Sequence, residues 1–416
     1  MSNKFNNIDE MIANPLTYTN PATYHALFAH LRENEPVRWT EPKGVRPFWL
    51  VTRHAEITAV ETQTTTFLNA PRAVMRPVAI EEEFAAKQGG HKELIRSMNN
   101  MDGTEHRQVR GITSRQFLLP SVRKMTDHID GIAKEFVQRL VDLAPETDFV
   151  ESVALWYPLR VIMLLLGVPA KDEKLMLELT RRIFEEKTDD EQIDVAETES
   201  GRAADGFFNY FRPILEECRK NPQPDIISAI ANAKVDDKPL GEFEQLSYCL
   251  TLATAGHDTT SATLAGGLLA LIENPVEMKK LRENPELLDS AVEEMLRWVA
   301  PVKHFFRTAT EDTVIAGKRI SAGDSIMIPY PSGGFDAEAY GDPEVFRVDR
   351  TRNPHLALGT GPHACLGQHL ARLEIKRFFV AFFGRIDNVT LNGEPESLPS
   401  CFISGLTKMP VRFSVK

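Results

Sequence analysis

The residues best suited to chemistry lie in one short glycine-rich segment near the end of the chain. Residues 358–367 read Leu-Gly-Thr-Gly-Pro-His-Ala-Cys-Leu-Gly. The three glycines permit a tight loop with backbone amides turned inward, and Cys365 stands where this loop meets a predicted helix. Inward amides and a helix N-terminus favour the thiolate over the thiol. The pattern predicts that Cys365 is a nucleophile or a metal ligand, whereas the other cysteines, Cys218, Cys249 and Cys401, are predicted to be inert packing residues.

A second group of candidate residues lies in the longest predicted helix, which runs from about Gly241 to Glu273. A helix of this length exceeds the ordinary globular helix, so we expect it to cross the core. Thr259 follows Ala255 by four residues, so both lie on one face, one turn apart. Considered by itself, Thr259 could be purely structural, because its hydroxyl can donate to the Ala255 carbonyl. Gly256, which costs helix stability, requires a functional or a packing explanation.

The remaining pattern predicts a mainly α protein with small peripheral β-sheets. No internal repeat or flexible linker is visible, so residues 1–416 are predicted to form a single domain. Helices are predicted over 121–143, 171–187, 202–220, 285–299 and 366–383. Strands are predicted over 48–52, 313–315, 318–320, 325–329 and 411–415.

Composition excludes several classes of protein. Lys and Arg total 48 against 59 Asp and Glu, so a net charge of −11 argues against a nucleic-acid partner. The four cysteines include no C-x-x-C pair, which argues against zinc fingers, ordinary iron–sulfur sites and disulfide scaffolds. No apolar segment follows a basic N-terminus, and the stretch from Val153 to Val168 is too short to span a membrane. We therefore expect a cytoplasmic protein without a membrane partner.

Taken together, these segments resemble the cytochrome P450 family. The resemblance covers nearly the whole chain and rests on five motifs in the family's order and separations. They are the loop and helix start at 361–374, the Ala-Gly-His-Asp-Thr-Thr segment at 255–260, the E-x-x-R pair Glu294 and Arg297, the H-x-x-x-R helix at 102–110, and Phe306-Arg307.

The resemblance implies a cytochrome P450 fold that holds haem b with the Cys365 thiolate as axial ligand, and O2 as co-substrate. It gives the haem propionates to His106, Arg110, Arg307 and His363, although any one of these could instead form a surface ion pair. It places Gly359 and Leu358 at the cofactor and gives proton delivery to Thr259 and Asp258. Leu358 departs from the family, which usually has Phe there. We expect an intact site with an altered thiolate environment.

For the substrate, the resemblance implies apolar pocket walls. These come from Leu252, Ala255, Val302, Phe402 and Ile403. The chain looks most similar to the bacterial terpene-hydroxylating group of terpineol type, which implies a small apolar substrate such as a compact terpenoid. The acidic stretch 185–199 is expected either to be a solvated loop or to lie over the pocket entrance as a lid.

The electron donor implied by the resemblance is a separate 2Fe–2S ferredoxin with its reductase, and the protein is expected to be a monomer. Basic segments at 106–124 and 366–385 would offer a surface for an acidic donor.

Three other functions stay open at this point. A haem-thiolate peroxygenase would use peroxide, but such enzymes often lack the acid–alcohol pair seen at Asp258-Thr259. A cysteine hydrolase with His363 as base would lack an orienting partner for that base. A non-catalytic haem carrier would leave Asp258-Thr259 without a purpose.

Overall fold

The computed structural model describes residues 5–87, 95–183 and 199–416 of the chain. The acidic stretch 185–199, for which we considered a lid, lies outside the described residues except for its last residue, which begins a helix. In chain order the α-helices are α1 (Ile8–Ala13), α2 (Pro21–Asn34), α3 (His54–Thr62), α4 (Val78–Lys87), α5 (Gly103–Gly111), α6 (Ser114–Phe117), α7 (Leu119–Arg123), α8 (Thr126–Asp142), α9 (Tyr157–Leu165), α10 (Glu173–Ile183), α11 (Glu199–Lys220), α12 (Ile226–Ala231), α13 (Glu242–Glu273), α14 (Pro275–Glu283), α15 (Leu288–Val299), α16 (Tyr330–Gly334), α17 (Ala337–Tyr340) and α18 (Gln368–Arg385).

The strands are short and form small sheets at the edge of the helical body. They are β1 (Val37–Thr40), β2 (Phe48–Val51), β3 (Phe67–Leu68), β4 (Glu146–Asp148), β5 (Lys234–Val235), β6 (Lys238–Pro239), β7 (His304–Ala309), β8 (Thr313–Ile315), β9 (Lys318–Ile320), β10 (Ser325–Pro329), β11 (Ile386–Leu391), β12 (Glu396–Ser397), β13 (Leu406–Lys408) and β14 (Pro410–Val415). The largest sheet has the order β1-β2-β10-β7-β3, and a second has the order β11-β14-β4. The predicted mainly α class with peripheral sheets is confirmed.

Helix α13 is the central element, as its length predicted. Most of its side chains are buried, and it packs against α9, α10, α11, α15 and α18. Its glycines permit close packing: a Cβ at Gly267 would lie 2.9 Å from the Met295 side chain, and one at Gly256 would lie 2.9 Å from Ile162 Cδ1. Gly256 therefore has a packing role against α9, and it also lines the main cavity.

Several helix boundaries in the structure differ from those predicted from the sequence. The segment 121–143 is two helices, α7 and α8, and the segment 171–187 begins with a 3-10 turn at Ala170–Asp172 before α10. The last long helix begins at Gln368, two residues later than predicted, because the chain still turns after Cys365. Among the described residues, no helix is long and apolar enough to cross a membrane.

Candidate active site

One large cavity lies between α13, α18, the strand β7 and the glycine-rich loop. It encloses about 1360 Å³, including the space where it opens to solvent. Its wall includes Cys365 and His363 of the loop and Ala255 and Thr259 of α13. The cavity thus brings together segments that lie about a hundred residues apart in the sequence.

The glycine-rich loop is held in a fixed shape under this cavity. The backbone N–H of Cys365 donates to the Leu358 carbonyl over 2.7 Å. Gly359 and Gly361 have φ values of 64° and 67°, in the left-handed region that glycine enters without strain. A Cβ at Gly361 would lie only 3.1 Å from the Glu61 carbonyl oxygen, so α3 leaves no room for a larger residue.

Cys365 lines the cavity, and the other three cysteines do not line it. The Cys401 thiol donates a hydrogen bond to the Ala13 carbonyl over 3.3 Å. Burial raises the pKa of the Cys249 thiol to about 12. Burial also raises the pKa of Cys365, although the Gly367 N–H and the charge of Arg110 act to lower it. A metal bound to the Cys365 sulfur would deprotonate it, because a coordinating thiol loses its proton.

The four side chains predicted to bind haem propionates converge beside this loop. The His106 and His363 rings stack with centroids 3.8 Å apart, and Arg110, Arg307 and His363 all line the cavity. Burial, followed by the charges of His106, Arg307 and Arg110, lowers the pKa of His363 to about 3. His106 itself lies behind His363, outside the cavity wall, and its buried Nε2 has no hydrogen-bond partner in the described chain.

This cluster has the chemistry that haem requires. Two propionates would place negative charges next to this group of closely spaced basic side chains. The buried His106 Nε2, which has no hydrogen-bond partner in the described chain, also requires a polar partner. The Cys365 sulfur on the same wall offers the axial ligand. The residues present therefore fit the cofactor that the resemblance predicted.

Glu61 is a member of this cluster that the sequence did not reveal. Its side chain is 2% exposed on α3. One carboxylate oxygen accepts from Arg307 over 3.0 Å and from the Tyr330 hydroxyl over 2.6 Å, and the other accepts from the Thr360 N–H over 3.0 Å. It thus connects the predicted propionate-binding arginine to the glycine-rich loop. Sequence alone carried no signal for it, because its partners lie about 250 to 300 residues away.

Thr259 and Asp258, the predicted proton-delivery pair, lie on different sides of α13. Thr259 lines the cavity and donates to the Ala255 carbonyl over 2.7 Å, the structural bond that the spacing allowed. Asp258 lies outside the cavity wall, and its Oδ1 lies 3.3 Å from Nδ1 of His257. Burial raises the pKa of Asp258, although His257 and Arg181 act to lower it. The roles of both residues stay predictions.

The predicted substrate residues divide into two groups. Leu252, Ala255 and Val302 line the cavity, whereas Phe402 and Ile403 are not among the described residues of its wall. Ile403 pairs with Val302 through a β-bridge, and the Phe402 ring packs on Phe305 with centroids 5.7 Å apart. These two residues therefore support the wall from behind. Cavity-lining apolar residues that sequence reasoning missed are Met98, Phe117, Ile162, Leu296 and Phe305.

The pair Glu294 and Arg297 lies on α15 and is fully buried. Arg297 donates both of its parallel N–H groups to Glu294 over 2.8 and 2.7 Å, and a third to the Pro343 carbonyl. Arg350 joins the same carboxylate over 3.0 Å and also binds Asp342. The pair thus ties α15 to the irregular segment 342–350.

Comparisons with known proteins agree with this geometry. Residues 60–416 match the family model described as Cytochrome P450. The chain is 37% identical over 409 residues to Cytochrome P450-terp of a Pseudomonas species, covering 96% of each protein. It is 28% identical to Linalool 8-monooxygenase of Pseudomonas putida, covering 96% of this chain and 98% of the relative. The crystal structure of CYP108D1 from Novosphingobium aromaticivorans superposes with a TM-score of 0.91 at 35% identity, covering 98% of both chains.

The cysteine loop, the converging basic side chains and the match over most of the chain lead to one conclusion. The protein belongs to the cytochrome P450 family, whose members hold haem through a cysteine thiolate and act as monooxygenases.

Proposed function

We propose that this protein is a haem-thiolate monooxygenase that hydroxylates a compact terpenoid, with Cys365 as the axial ligand. The observation that carries the proposal is that Cys365, Thr259 and apolar side chains line the same cavity. Thiolate-bound haem supplies O2 activation and O–O cleavage. The chain's own residues bind the cofactor, exclude water and deliver protons.

Two arginines of the basic cluster are held in position by other parts of the protein. Arg307 is held by Glu61 at 3.0 Å, so its guanidinium is fixed in place before the cofactor binds. Arg110 donates to the Ala364 carbonyl over 2.6 Å, next to the proposed ligand Cys365. Both cations are therefore positioned by the protein and have other N–H groups for the propionates.

Thr259 is suited to hold a proton-carrying water molecule in the cavity. Its hydroxyl hydrogen is donated to the Ala255 carbonyl, which leaves the oxygen lone pairs to accept from water. Water bound there would lie on the cavity side of α13. The same hydrogen bond that secures the helix thus fixes the orientation of the hydroxyl oxygen.

A terpenoid substrate is supported by the walls and by the relatives. Leu252, Ala255, Val302 and Phe305 form an apolar surface that suits a small hydrophobic molecule. The matched relatives include a protein named Linalool 8-monooxygenase and one named Cytochrome P450-terp. Ligand-induced shifts of the haem absorption across a panel of monoterpenes and larger steroids test the substrate class, and a preference for the steroids would overturn it.

The proposed electron donor is an acidic 2Fe–2S ferredoxin, and we propose that it docks on the exposed basic residues around α7. The basic residues of α18 are already engaged by acidic or amide side chains, through the pairs Arg372–Glu293, Lys376–Asp289, Arg377–Asp130 and Arg385–Gln138. Arg115, Arg123 and Lys124 are exposed around α7, and no described carboxylate forms an ion pair with them. Exposed Leu118 and Leu119 lie among them, and α7 packs on α18.

Reversing one of these charges tests the donor. Arg123→Glu should lower the rate of electron transfer from ferredoxin and weaken its salt dependence, because one steering cation has become an anion. Lys376→Glu is the matched control, since the Lys376 ammonium is already paired with Asp289 at 2.6 Å. Equal effects of the two substitutions on the electron-transfer rate would exclude the α7 surface as the docking site.

A monomeric state and a cytoplasmic location stay predictions.

The ligand assignment has a direct test with a matched control. The reduced, carbon-monoxide-bound wild type should show the red-shifted Soret band of a haem thiolate. Cys365→Ser should lose this band, whereas Cys401→Ser should keep it, because the Cys401 thiol bonds the Ala13 carbonyl. Retention of the band in Cys365→Ser would overturn the assignment.

A peroxygenase is the second candidate function. Asp258 and Thr259 argue against it, because a peroxide-driven reaction receives its protons with the oxidant. Turnover with ferredoxin and O2 that far exceeds turnover with hydrogen peroxide supports the monooxygenase, and the reverse ratio supports the peroxygenase.

A further inference from the structure

Two neighbouring buried side chains, Lys303 and His304, donate hydrogen bonds to the same short segment, residues 401–403. Lys303 is 6% exposed and His304 is 0% exposed, and neither is among the described residues that line the cavity. The residues on either side of them, Val302 and Phe305, do line it. The two polar side chains therefore lie behind an apolar part of the cavity wall.

The carbonyl oxygens of three successive residues accept from this one pair. His304 Nδ1 donates to the Cys401 carbonyl over 3.0 Å. The Lys303 backbone N–H donates to the Phe402 carbonyl over 2.8 Å, and Lys303 Nζ donates to the Ile403 carbonyl over 2.7 Å. Among the described residues no other group donates to the Ile403 carbonyl, so this oxygen would lose its partner without Nζ.

The partners of both side chains determine which nitrogen atoms carry hydrogens. The Cys401 carbonyl can only accept, so Nδ1 of His304 carries a hydrogen. The Met75 N–H donates to Nε2 of the same ring over 3.0 Å, so Nε2 carries none. Burial lowers the pKa of His304 to about 3, which agrees with a neutral ring. Lys303 Nζ carries hydrogens whether it is charged or neutral, so it can donate to Ile403 in either form.

The Lys303 amine has few partners for a buried group. In the described chain its contacts are the Ile403 carbonyl and the Tyr18 ring, whose centroid lies 5.5 Å away, and no carboxylate forms an ion pair with it. Burial lowers the pKa of Lys303 to about 7, although Cys401 acts to raise it. A methionine would fill a similar volume with no amine to remove from water. The bond to the Ile403 carbonyl is therefore the feature that the amine adds at this position.

The segment that accepts these bonds supports two residues of the cavity wall. Ile403 pairs with Val302 through a β-bridge, and the Phe402 ring packs on Phe305 with centroids 5.7 Å apart. Because protein interiors are closely packed, a shift of the segment is transmitted to the residues in contact with it. The positions of Val302 and Phe305 thus depend on how firmly residues 401–403 are held.

We propose that Lys303 and His304 form a clamp: they are positioning residues that hold residues 401–403 in place and thereby determine which carbon of the substrate is oxidised. The inference deepens the proposed function and rests on it, because it assumes that an apolar substrate is oxidised in this cavity. The clamp acts through Val302 and Phe305, the wall residues that it supports.

Replacing Lys303 by methionine tests the clamp in the haem-loaded enzyme. Lys303→Met keeps an apolar chain of similar length but removes the donor to the Ile403 carbonyl. With a monoterpene such as linalool, the ratio of the main oxidised product to the minor products should fall by roughly tenfold, since a misplacement of about 1 Å can cost a hundredfold in rate. The carbon-monoxide-bound spectrum should keep its Soret band. An unchanged product ratio would overturn the inference.

The matched control is Tyr18→Phe. It removes another buried hydrogen bond, from the Tyr18 hydroxyl to the Ile12 carbonyl over 2.8 Å, but keeps the ring that faces Lys303 Nζ. This variant should unfold at a lower temperature and leave the product ratio unchanged. If the ratio changed equally in Tyr18→Phe and Lys303→Met, general destabilisation would explain the result and the clamp would be refuted.

Hydrogen–deuterium exchange provides a readout that does not depend on turnover. The peptide covering residues 400–405 should exchange faster in Lys303→Met than in the wild type or in Tyr18→Phe, because its backbone is held less firmly. Equal exchange in the three proteins would contradict the clamp. If Lys303→Met does not fold, His304→Leu provides the same two measurements, since it removes the donor to the Cys401 carbonyl.

These measurements separate the inference from the proposed function. Failure of the wild type to oxidise any terpenoid would refute the proposed function. Faster exchange of the 400–405 peptide with an unchanged product ratio would refute only the inference, because the segment would then be held by Lys303 without affecting the site of oxidation.

Discussion

The buried Glu294 carboxylate offers the sharpest stability prediction, because its neighbour in the sequence is a matched control. Glu294 is 0% exposed and accepts five hydrogen bonds of 2.7 to 3.0 Å. Two of its donors are the buried cations Arg297 and Arg350. Glu293 makes a similar pair with Arg372, but the two side chains are 28% and 31% exposed. Glu293 also bonds the His355 ring over 2.9 Å, so it has three hydrogen-bond contacts against five for Glu294, and the two glutamates differ both in burial and in number of partners.

The magnitude follows from what glutamine cannot do. In Glu294→Gln, one carboxylate oxygen becomes an amide nitrogen, so at least two of the five donors lose their acceptor. The buried Arg297 loses its counter-charge, whereas Arg350 keeps its pair with Asp342. Breaking a buried pair in this way costs about 3–5 kcal/mol. Glu293→Gln removes a pair whose side chains are 28% and 31% exposed, and solvent screening limits the contribution of such a pair to about 1 kcal/mol. We expect Glu294→Gln to reduce the free energy of unfolding by several times the reduction in Glu293→Gln.

Urea denaturation of the haem-loaded variants, followed by circular dichroism and by haem absorbance, measures this difference. Glu294→Gln should unfold at a clearly lower urea concentration and lose haem earlier, because the link from α15 to residues 342–350 loosens. If the two variants unfolded at the same concentration, burial would not determine the strength of these pairs, and the reasoning would be refuted.

The pH dependence of this stabilisation has a definite sign. Burial alone would raise the pKa of Glu294, but hydrogen bonds and charges from Arg297 and Arg350 lower it overall. A lowered folded-state pKa means that the stabilisation is complete above the ordinary value of 4.5 and is lost as the pH falls through the folded-state value. The stability difference between wild type and Glu294→Gln should therefore shrink in acid.

Three other substitutions probe the site itself. Thr259→Ala should retain haem but divert electrons to peroxide. The control Thr254→Ala loses a similar hydroxyl-to-carbonyl bond outside the cavity wall, so it should leave the coupling of electron use to product formation unchanged. Equal losses of coupling in the two variants would contradict the role of Thr259. Glu61→Gln should raise the haem reduction potential, because it removes a buried negative charge beside the propionate-binding Arg307. A potentiometric titration with an unchanged or lower midpoint would refute this. Leu252→Phe should weaken the spectral shift with bulky terpenoids more than with small ones, since the side chain lines the cavity, and a uniform change would argue against a steric effect.

Much of this protein could be predicted from sequence because its signals are local. A helix of more than thirty residues, the short strands around 313–329 and the glycine-rich loop each depend on neighbours within a few positions, where hydrophobic periodicity and glycine placement act. The motif spacing then indicated the family, and with it the haem site around Cys365. Among the element boundaries, the start of α18, the break between α7 and α8 and the 3-10 turn before α10 were missed, since these depend on how the chain turns in three dimensions.

What the sequence left open was decided by contacts between distant segments. Glu61 reaches Arg307 and Thr360 only after folding, and no spacing rule connects residues this far apart. Phe402 and Ile403 share an apolar segment with the predicted pocket, yet the β-bridge to Val302 places Ile403 behind the wall. Sequence therefore determined the elements and their chemical types, whereas tertiary packing determined which side chains face the cavity, because burial and direction arise only when the elements meet.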